Sequence, residues 1–372
     1  MLMRTLLIAI PFAMVTVSAD NTVAEVRLNQ IQVIGTHNSY HIQPHPSVMS
    51  LIRNSSPRQA AAIAYTHRPL AEQFSELGIR QIELDVYADP KGGHYAKPVG
   101  LRMVAEAKLP KVPDPDPNGE LTKPGLKILH APDIDFFTTV RTFVGALDEI
   151  KNWSDEHPTH IPIMVMVEVK QSRVLPIFPK PMPFDAAALD AIDAEIKSVF
   201  PIDRIITPDS LRGESETLRD AITSSGWPRL DECRGKVIFA LDNGGAVRDD
   251  YMKDHPSLTG RILFTSVKAD HPAAAFMKLN DPVGGFDHIQ QMVKLGFLVR
   301  TRADSNTRQA RENDSSTMQK AFASGAQYIS TDYPEPDSKL SDYRVELPDR
   351  VVARSNPING DGSNIETVSR QE

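Results

Sequence analysis

Two histidines and four oxygen donors are spaced along this chain in a way that could serve one reaction. His37 and Asn38 lie in "THNSYH", residues 36 to 41, directly after the apolar run Ile31-Gln32-Val33-Ile34-Gly35. A polar turn capping backbone groups would explain the string. A strand end delivering a histidine to chemistry would explain it equally, and residues further along decide between the two. In Ile79-Arg80-Gln81-Ile82-Glu83-Leu84-Asp85-Val86 the alternation puts Glu83 and Asp85 on one face and Ile82, Leu84 and Val86 on the other. Neighbouring carboxylates repel each other and lose hydration on burial, so an inward-facing pair implies a cation. His130 closes Ile128-Leu129-His130, and Glu168 follows the almost wholly apolar stretch 161–167, with Lys170 on its face. Glu83, Asp85, Glu168 and the amide oxygen of Asn38 form an all-oxygen set suited to a hard cation such as Ca²⁺. His37 and His130 remain for proton transfer. Zinc would prefer nitrogen and sulfur, and Cys233 is the single cysteine.

These residues need elements to position them. β-rich apolar runs predict strands near 31–34, 79–86, 126–130, 162–168, 236–241, 262–265, 297–301 and 327–331. Helical patterns alternate with them, over Arg68 to Leu77, Thr138 to Trp153, Phe184 to Phe200, Gly285 to Leu295 and Thr307 to Ser324. Eight βα units in one domain predict an α/β fold, a (β/α)8 TIM-type barrel with helices outside. A doubly wound open sheet is the alternative, but no glycine-rich phosphate turn follows the first strand. Seven of the eight predicted strands end in an ionisable group, among them Asp242, Arg302 with Asp304, and Asp332, at the rim where barrel enzymes work.

Two segments interrupt the repeat. Residues 88–125 are rich in proline and glycine and form a long loop expected to lie over the site. Asp114, Asp116, Asn118 and Gly119 in it resemble the opening of a calcium loop, but Gly125 stands where such a loop needs its closing glutamate. Residues 348–372 are polar and aperiodic and are expected to fray, leaving 20–347 as the barrel domain.

Residues 1–19 combine an early Arg4, an apolar centre and Val-Ser-Ala before Asp20, the pattern of an export signal cleaved near Ala19. Pro11 interrupts that run, which is short for a membrane span. Without it the chain carries 40 basic and 48 acidic residues, a net charge of −8, which argues against a nucleic-acid partner. With one cysteine, an exported chain of this size must be held by its core.

The order His37-Asn38, Glu83-x-Asp85, His130, Glu168 resembles the catalytic half of the phosphoinositide-specific phospholipase C superfamily. The phrases "THNSYH", "LAEQFSELGIRQIELDVYADPKGGHY", "RTRAD" and "YISTDYP" are similar to its secreted, calcium-dependent bacterial and fungal branch. The resemblance covers about residues 30 to 335. It implies Asn38, Glu83, Asp85 and Glu168 as Ca²⁺ ligands, and His37 and His130 flanking a scissile phosphodiester of an inositol phospholipid. The inositol 2-hydroxyl would attack phosphorus, and His130 would protonate the leaving oxygen. Lys170 and Arg302 would hold the phosphate or orient Glu168 and Asp304, with Asp304 counted beside them at the substrate. A monomer in transient contact with a membrane surface is expected. Two other readings are a glycerophosphodiester phosphodiesterase, whose first histidine normally precedes Arg-Gly, and a non-catalytic inositol-lipid-binding barrel.

Overall fold

The computed structural model describes residues 26–360 and 364–367. The export-signal stretch 1–19 lies outside them. Among the described residues twelve strands form: β1 (Ile31–Thr36), β2 (Gln81–Tyr87), β3 (Lys127–Ile128), β4 (Ile163–Val169), β5 (Ile205–Ile206), β6 (Val237–Leu241), β7 (Phe264–Thr265), β8 (Phe276–Lys278), β9 (Leu298–Arg302), β10 (Tyr328–Thr331), β11 (Val351–Ser355) and β12 (Asn364–Thr367). From Ile163 to Val167, β4 is completely buried, as a strand covered on both faces must be.

Eight of these strands run parallel around a curled sheet in the order β1, β2, β4, β6, β7, β8, β9, β10, and β10 pairs back onto β1. β7 and β8 meet through the parallel bridge Ser266–Phe276. The barrel is therefore the expected one, and its eight strands open their carboxyl ends to one mouth. Helices pack outside, among them Phe143–Glu156, whose first turn is capped by Thr142 Oγ1 accepting from Gly145 N, and Ala186–Val199, capped by Asp185. Where one helix was expected over 307–324, two form, Arg308–Glu312 and Ser316–Ala323, because Asn313 takes a left-handed conformation between them. The glycine at Gly35 is needed where β1 approaches β2, since a Cβ there would stand 2.1 Å from Gln81 Oε1.

The strand count was right but its membership was not. The run at 126–130 yields only β3, which pairs antiparallel with the end of β2 (Val86 with Ile128, Tyr87 with Lys127) and takes no place in the ring. The missing barrel strand is β8, three residues long and too short to show a periodic signal.

The segment 88–125 is not a loose cover. Its helix Val99–Glu106 and the side chains of Tyr95, Val104, Val112 and Leu121 bury themselves with Tyr87, Leu129, Phe136 and Val48 in a second core beside the barrel. The calcium-loop resemblance dissolves into turn chemistry, because Asp116 accepts from the backbone N–H groups of Glu120 and Leu121, both at 2.8 Å.

The expected frayed tail is also corrected. β11 adds antiparallel to the first half of β1 (Ile31 with Ser355, Gln32 with Arg354, Val33 with Ala353), and Val351, Val352 and Ala353 are buried. The domain thus extends past residue 347; residues 368–372 lie outside the described residues.

Candidate active site

Strand register assembles the mouth. Thr36 of β1 pairs with Thr331 of β10, so the next residue on each strand, His37 and Asp332, come side by side, with His37 Nδ1 2.7 Å from Asp332 Oδ1. Asp332 Oδ2 accepts from Arg302 Nη2 at 3.1 Å. Asp304 stands behind this group. Its Oδ1 accepts from the Asp332 backbone N–H at 2.9 Å, and its Oδ2 takes the hydroxyls of Thr331 and Tyr343. The expectation that Asp304 meets substrate is therefore corrected: it is buried and braces the turn that carries Asp332.

On the other side of His37, Asn38 adopts a left-handed φ of 46° and Ser39 stitches the turn to β2. Ser39 N donates to the Glu83 carbonyl at 2.9 Å, and its Oγ accepts from Glu83 N at 2.8 Å. The β2–β4 register sets Asp85 directly beside Glu168. One oxygen each from Glu83, Asp85 and Glu168 all lie within 4.8 Å of one another. Three carboxylates so close repel strongly. Two side-chain cations face them: Arg300 Nη2 donates to Glu83 Oε2 at 2.5 Å, while Lys170 Nζ is 2.8 Å from Glu168 Oε2 and 3.1 Å from Asp85 Oδ2. Arg300 is buried and also holds Asn280 Oδ1 and Ser330 Oγ. Sequence reading placed it on a strand without a role.

This arrangement fits a calcium ion on the evidence of its own unsatisfied atoms. Asn38 Oδ1 and Asp85 Oδ1 are buried and receive no hydrogen bond of good geometry, while Asp85 Oδ2 has the Lys170 ammonium 3.1 Å away; buried oxygens without a partner cost free energy unless a cation meets them. All available donors are oxygen, as calcium requires. Burial pushes Glu83 up to about 8 despite Arg300, with Asp242, Asp85 and Glu168 adding to the rise. Burial likewise pushes Asp85 up to about 7, against the pull of Lys170.

His130 does not close a barrel strand. It lies just past β3, and the antiparallel β2–β3 pair brings it back to the mouth. Its Nδ1 is 2.7 Å from Asp135 Oδ2, its carbonyl accepts from Tyr87 Oη at 3.1 Å, and its side chain is 27% exposed. His37 Nε2 lies 3.6 Å from Glu83 Oε1, so the first imidazole and the carboxylate cluster share one end of the barrel. Burial and then Arg302 lower His37 to about 3 despite Asp332, which leaves the ring neutral with its proton directed at Asp332. Further round the rim, Lys278 Nζ donates to Asp242 Oδ2 at 2.5 Å.

Residues 26–357 match the family model described as phosphoinositide phospholipase C, Ca²⁺-dependent. The chain belongs to that family. The phospholipase is also similar to solved structures of calcium-dependent phosphoinositol-specific phospholipase C from a Gram-negative Pseudomonas species, one solved as a myoinositol complex (16% identity; 82% of this chain and 90% of that chain covered; TM-score 0.48). A second is the Ca²⁺-dependent enzyme from Streptomyces antibioticus (16% identity; 83% and 95% covered; TM-score 0.49). A third is phosphatidylinositol-specific phospholipase C from Listeria monocytogenes (13% identity; 85% and 92% covered; TM-score 0.43). No curated relative matches the sequence. The phospholipase is thus a calcium-dependent phosphoric diester hydrolase acting on phosphoinositides.

The raised carboxylates set a pH dependence. A carboxyl group whose folded pKa lies above its unfolded value favours the fold while protonated, and that contribution is lost as pH rises through the folded pKa. A calcium ion held by these carboxylates would have to displace those protons and would bind best above the same window. In thermal denaturation the stabilisation by calcium over chelator is expected to be larger near about pH 8 than near about pH 6. Equal shifts at both would remove Glu83 and Asp85 from the ion's surroundings.

Proposed function

We propose that Asn38, Glu83, Asp85 and Glu168 bind the calcium ion, and that His37 and His130 flank the phosphodiester of a phosphatidylinositol-type lipid. The single observation that carries this reading is the convergence at the barrel mouth of three carboxylates with Asn38 Oδ1 and Asp85 Oδ1, both buried and without a hydrogen bond. The ion, when bound, lowers the pKa of the inositol 2-hydroxyl and offsets charge on the phosphoryl oxygens. The chain's own groups do the rest. Glu168, about a quarter exposed, receives the hydroxyl proton, since Glu83 is buried and tied to Arg300. His37 is held by Asp332 at Nδ1, with Nε2 turned toward the carboxylate cluster, 3.6 Å from Glu83 Oε1. An arriving phosphodiester anion stabilises a second proton on that nitrogen, which then donates to a phosphoryl oxygen. His130 gives its proton to the departing diacylglycerol oxygen. Lys170 and Arg302 orient Glu168 and Asp332 and balance the site's charge.

Lipid access is proposed along the segment that leaves β4. Val174, Leu175 and Ile177 are 51%, 42% and 66% exposed there, flanked by Arg173 and Lys180. Apolar side chains beside basic ones suit transient contact with an anionic lipid surface. A monomer exported by residues 1–19 completes the proposal.

Phosphorus NMR of the reaction with phosphatidylinositol, with calcium or with chelator, tests it. A calcium-dependent cyclic inositol phosphate is expected, because only attack by the substrate's own hydroxyl makes that ring. Open glycerol phosphate products would favour a glycerophosphodiesterase, and lipid binding without turnover a non-catalytic barrel.

A further inference from the structure

His41 has no part in the chemistry above, yet it is completely buried and both its ring nitrogens face acceptors. Nδ1 lies 3.1 Å from the Tyr65 carbonyl oxygen. Nε2 lies 3.0 Å from each oxygen of Asp135. A carbonyl never donates. A carboxylate donates only when protonated, and although burial would raise Asp135, His41 and His130 together hold it at about 2. A neutral imidazole has one donor and one acceptor nitrogen, and no donor faces either nitrogen here. Acceptors therefore face the ring on both sides, and Nε2 is held against the Asp135 carboxylate.

The same carboxylate receives His130. Asp135 is 1% exposed, and its Oδ2 is 2.7 Å from His130 Nδ1. The two imidazoles stand 5.6 Å apart at 86°, so His41 sits behind His130 with Asp135 between them. We propose that His41 and Asp135 form a preformed hydrogen-bonded pair that positions His130, fixing Nδ1 as the donor to Asp135 and leaving Nε2 for the leaving group. His41 and Asp135 are positioning residues: neither reaches the substrate. The connection continues beyond the acid. Tyr65, whose carbonyl His41 grips, accepts from Asn38 Nδ2 through its hydroxyl at 3.0 Å. One hydrogen-bonded chain thus links the leaving-group acid to the turn that offers Asn38. The second histidine of "THNSYH" has this role.

The proposal rests on His130 acting as leaving-group acid, and two substrates separate the two ideas. Phosphatidylinositol needs its leaving oxygen protonated; a nitrophenyl ester of inositol phosphate does not. His130→Ala is expected to lose roughly 10²–10⁴-fold in kcat on the lipid and far less on the ester. His41→Gln and Asp135→Asn are expected to lose about tenfold or more on the lipid, again far less on the ester, with KM little changed. If His130→Ala loses equally on both substrates, the acid assignment fails. If His130→Ala shows the split and the other two variants do not, the positioning proposal is overturned. Should those variants fold poorly, ¹⁵N-histidine NMR of the unaltered full chain decides. A proton on His130 Nδ1 supports the positioning, and a His130 tautomer protonated on Nε2 alone overturns it.

Discussion

Replacing His130 with alanine is expected to lower kcat on phosphatidylinositol by roughly 10²–10⁴-fold, the usual contribution of a positioned general acid, and to leave calcium-dependent stabilisation unchanged. The separation follows from where the side chain sits. His130 contacts Asp135 and none of the oxygens grouped around Glu83, Asp85 and Glu168. Its ring is 27% exposed, so truncation leaves no closed cavity, and Asp135 keeps its pairing with His41. Steady-state turnover and thermal melting with and without calcium make the comparison. Loss of both properties would show that His130 belongs to the ion's surroundings and that its role as acid is misassigned.

The largest effect on the fold is expected from Glu83→Ala. Glu83 and Arg300 are 3% and 1% exposed in their side chains and meet at 2.5 Å. Removing the carboxylate strands a buried guanidinium, a loss of roughly 3–5 kcal/mol, and also removes one of the proposed ion's donors. Urea unfolding should show a much lower midpoint in chelator and only a weak recovery with calcium. Glu83→Ala combined with Arg300→Met removes both charges, so the double variant should regain most of its stability while its calcium response stays weak. A Glu83→Ala protein as stable as the parent would show that the Arg300 charge finds compensation elsewhere in the mouth.

Much of the framework was legible because burial writes itself into sequence. A strand covered on both faces must be apolar along its whole length, and 161–167 announces that without ambiguity. The Glu83-x-Asp85 alternation was equally readable, since period two assigns faces directly. What escaped depends on contacts far apart in the chain. The two residues of β3 looked like a barrel strand because nothing local distinguishes antiparallel from parallel pairing. β8 has too few residues to carry a pattern, and β11 was masked by the polar residues around it. The same limit applies to the site. Asp304 and Asp332 both follow strands, and only the register of β1 against β10 sends Asp332 to His37 while Asp304 is spent on backbone and hydroxyl groups. Arg300 lies on a strand whose inward face became apparent only when it met Glu83, 217 residues earlier. Asp135 and His41 are 94 residues apart, a pairing no spacing rule could suggest.

The pairing of β11 with β1 bears on how the molecule is made. The first half of β1 hydrogen-bonds to residues 353–355, and Arg354 also grips Gln32 across 322 positions. Until ribosomes have supplied residue 355, the first half of the strand leading into His37 and Asn38 lacks this partner. Joining ends so distant is slow, because chain entropy must be surrendered before any contact rewards it. Catalytic competence in this phospholipase is therefore among the last properties a nascent molecule acquires.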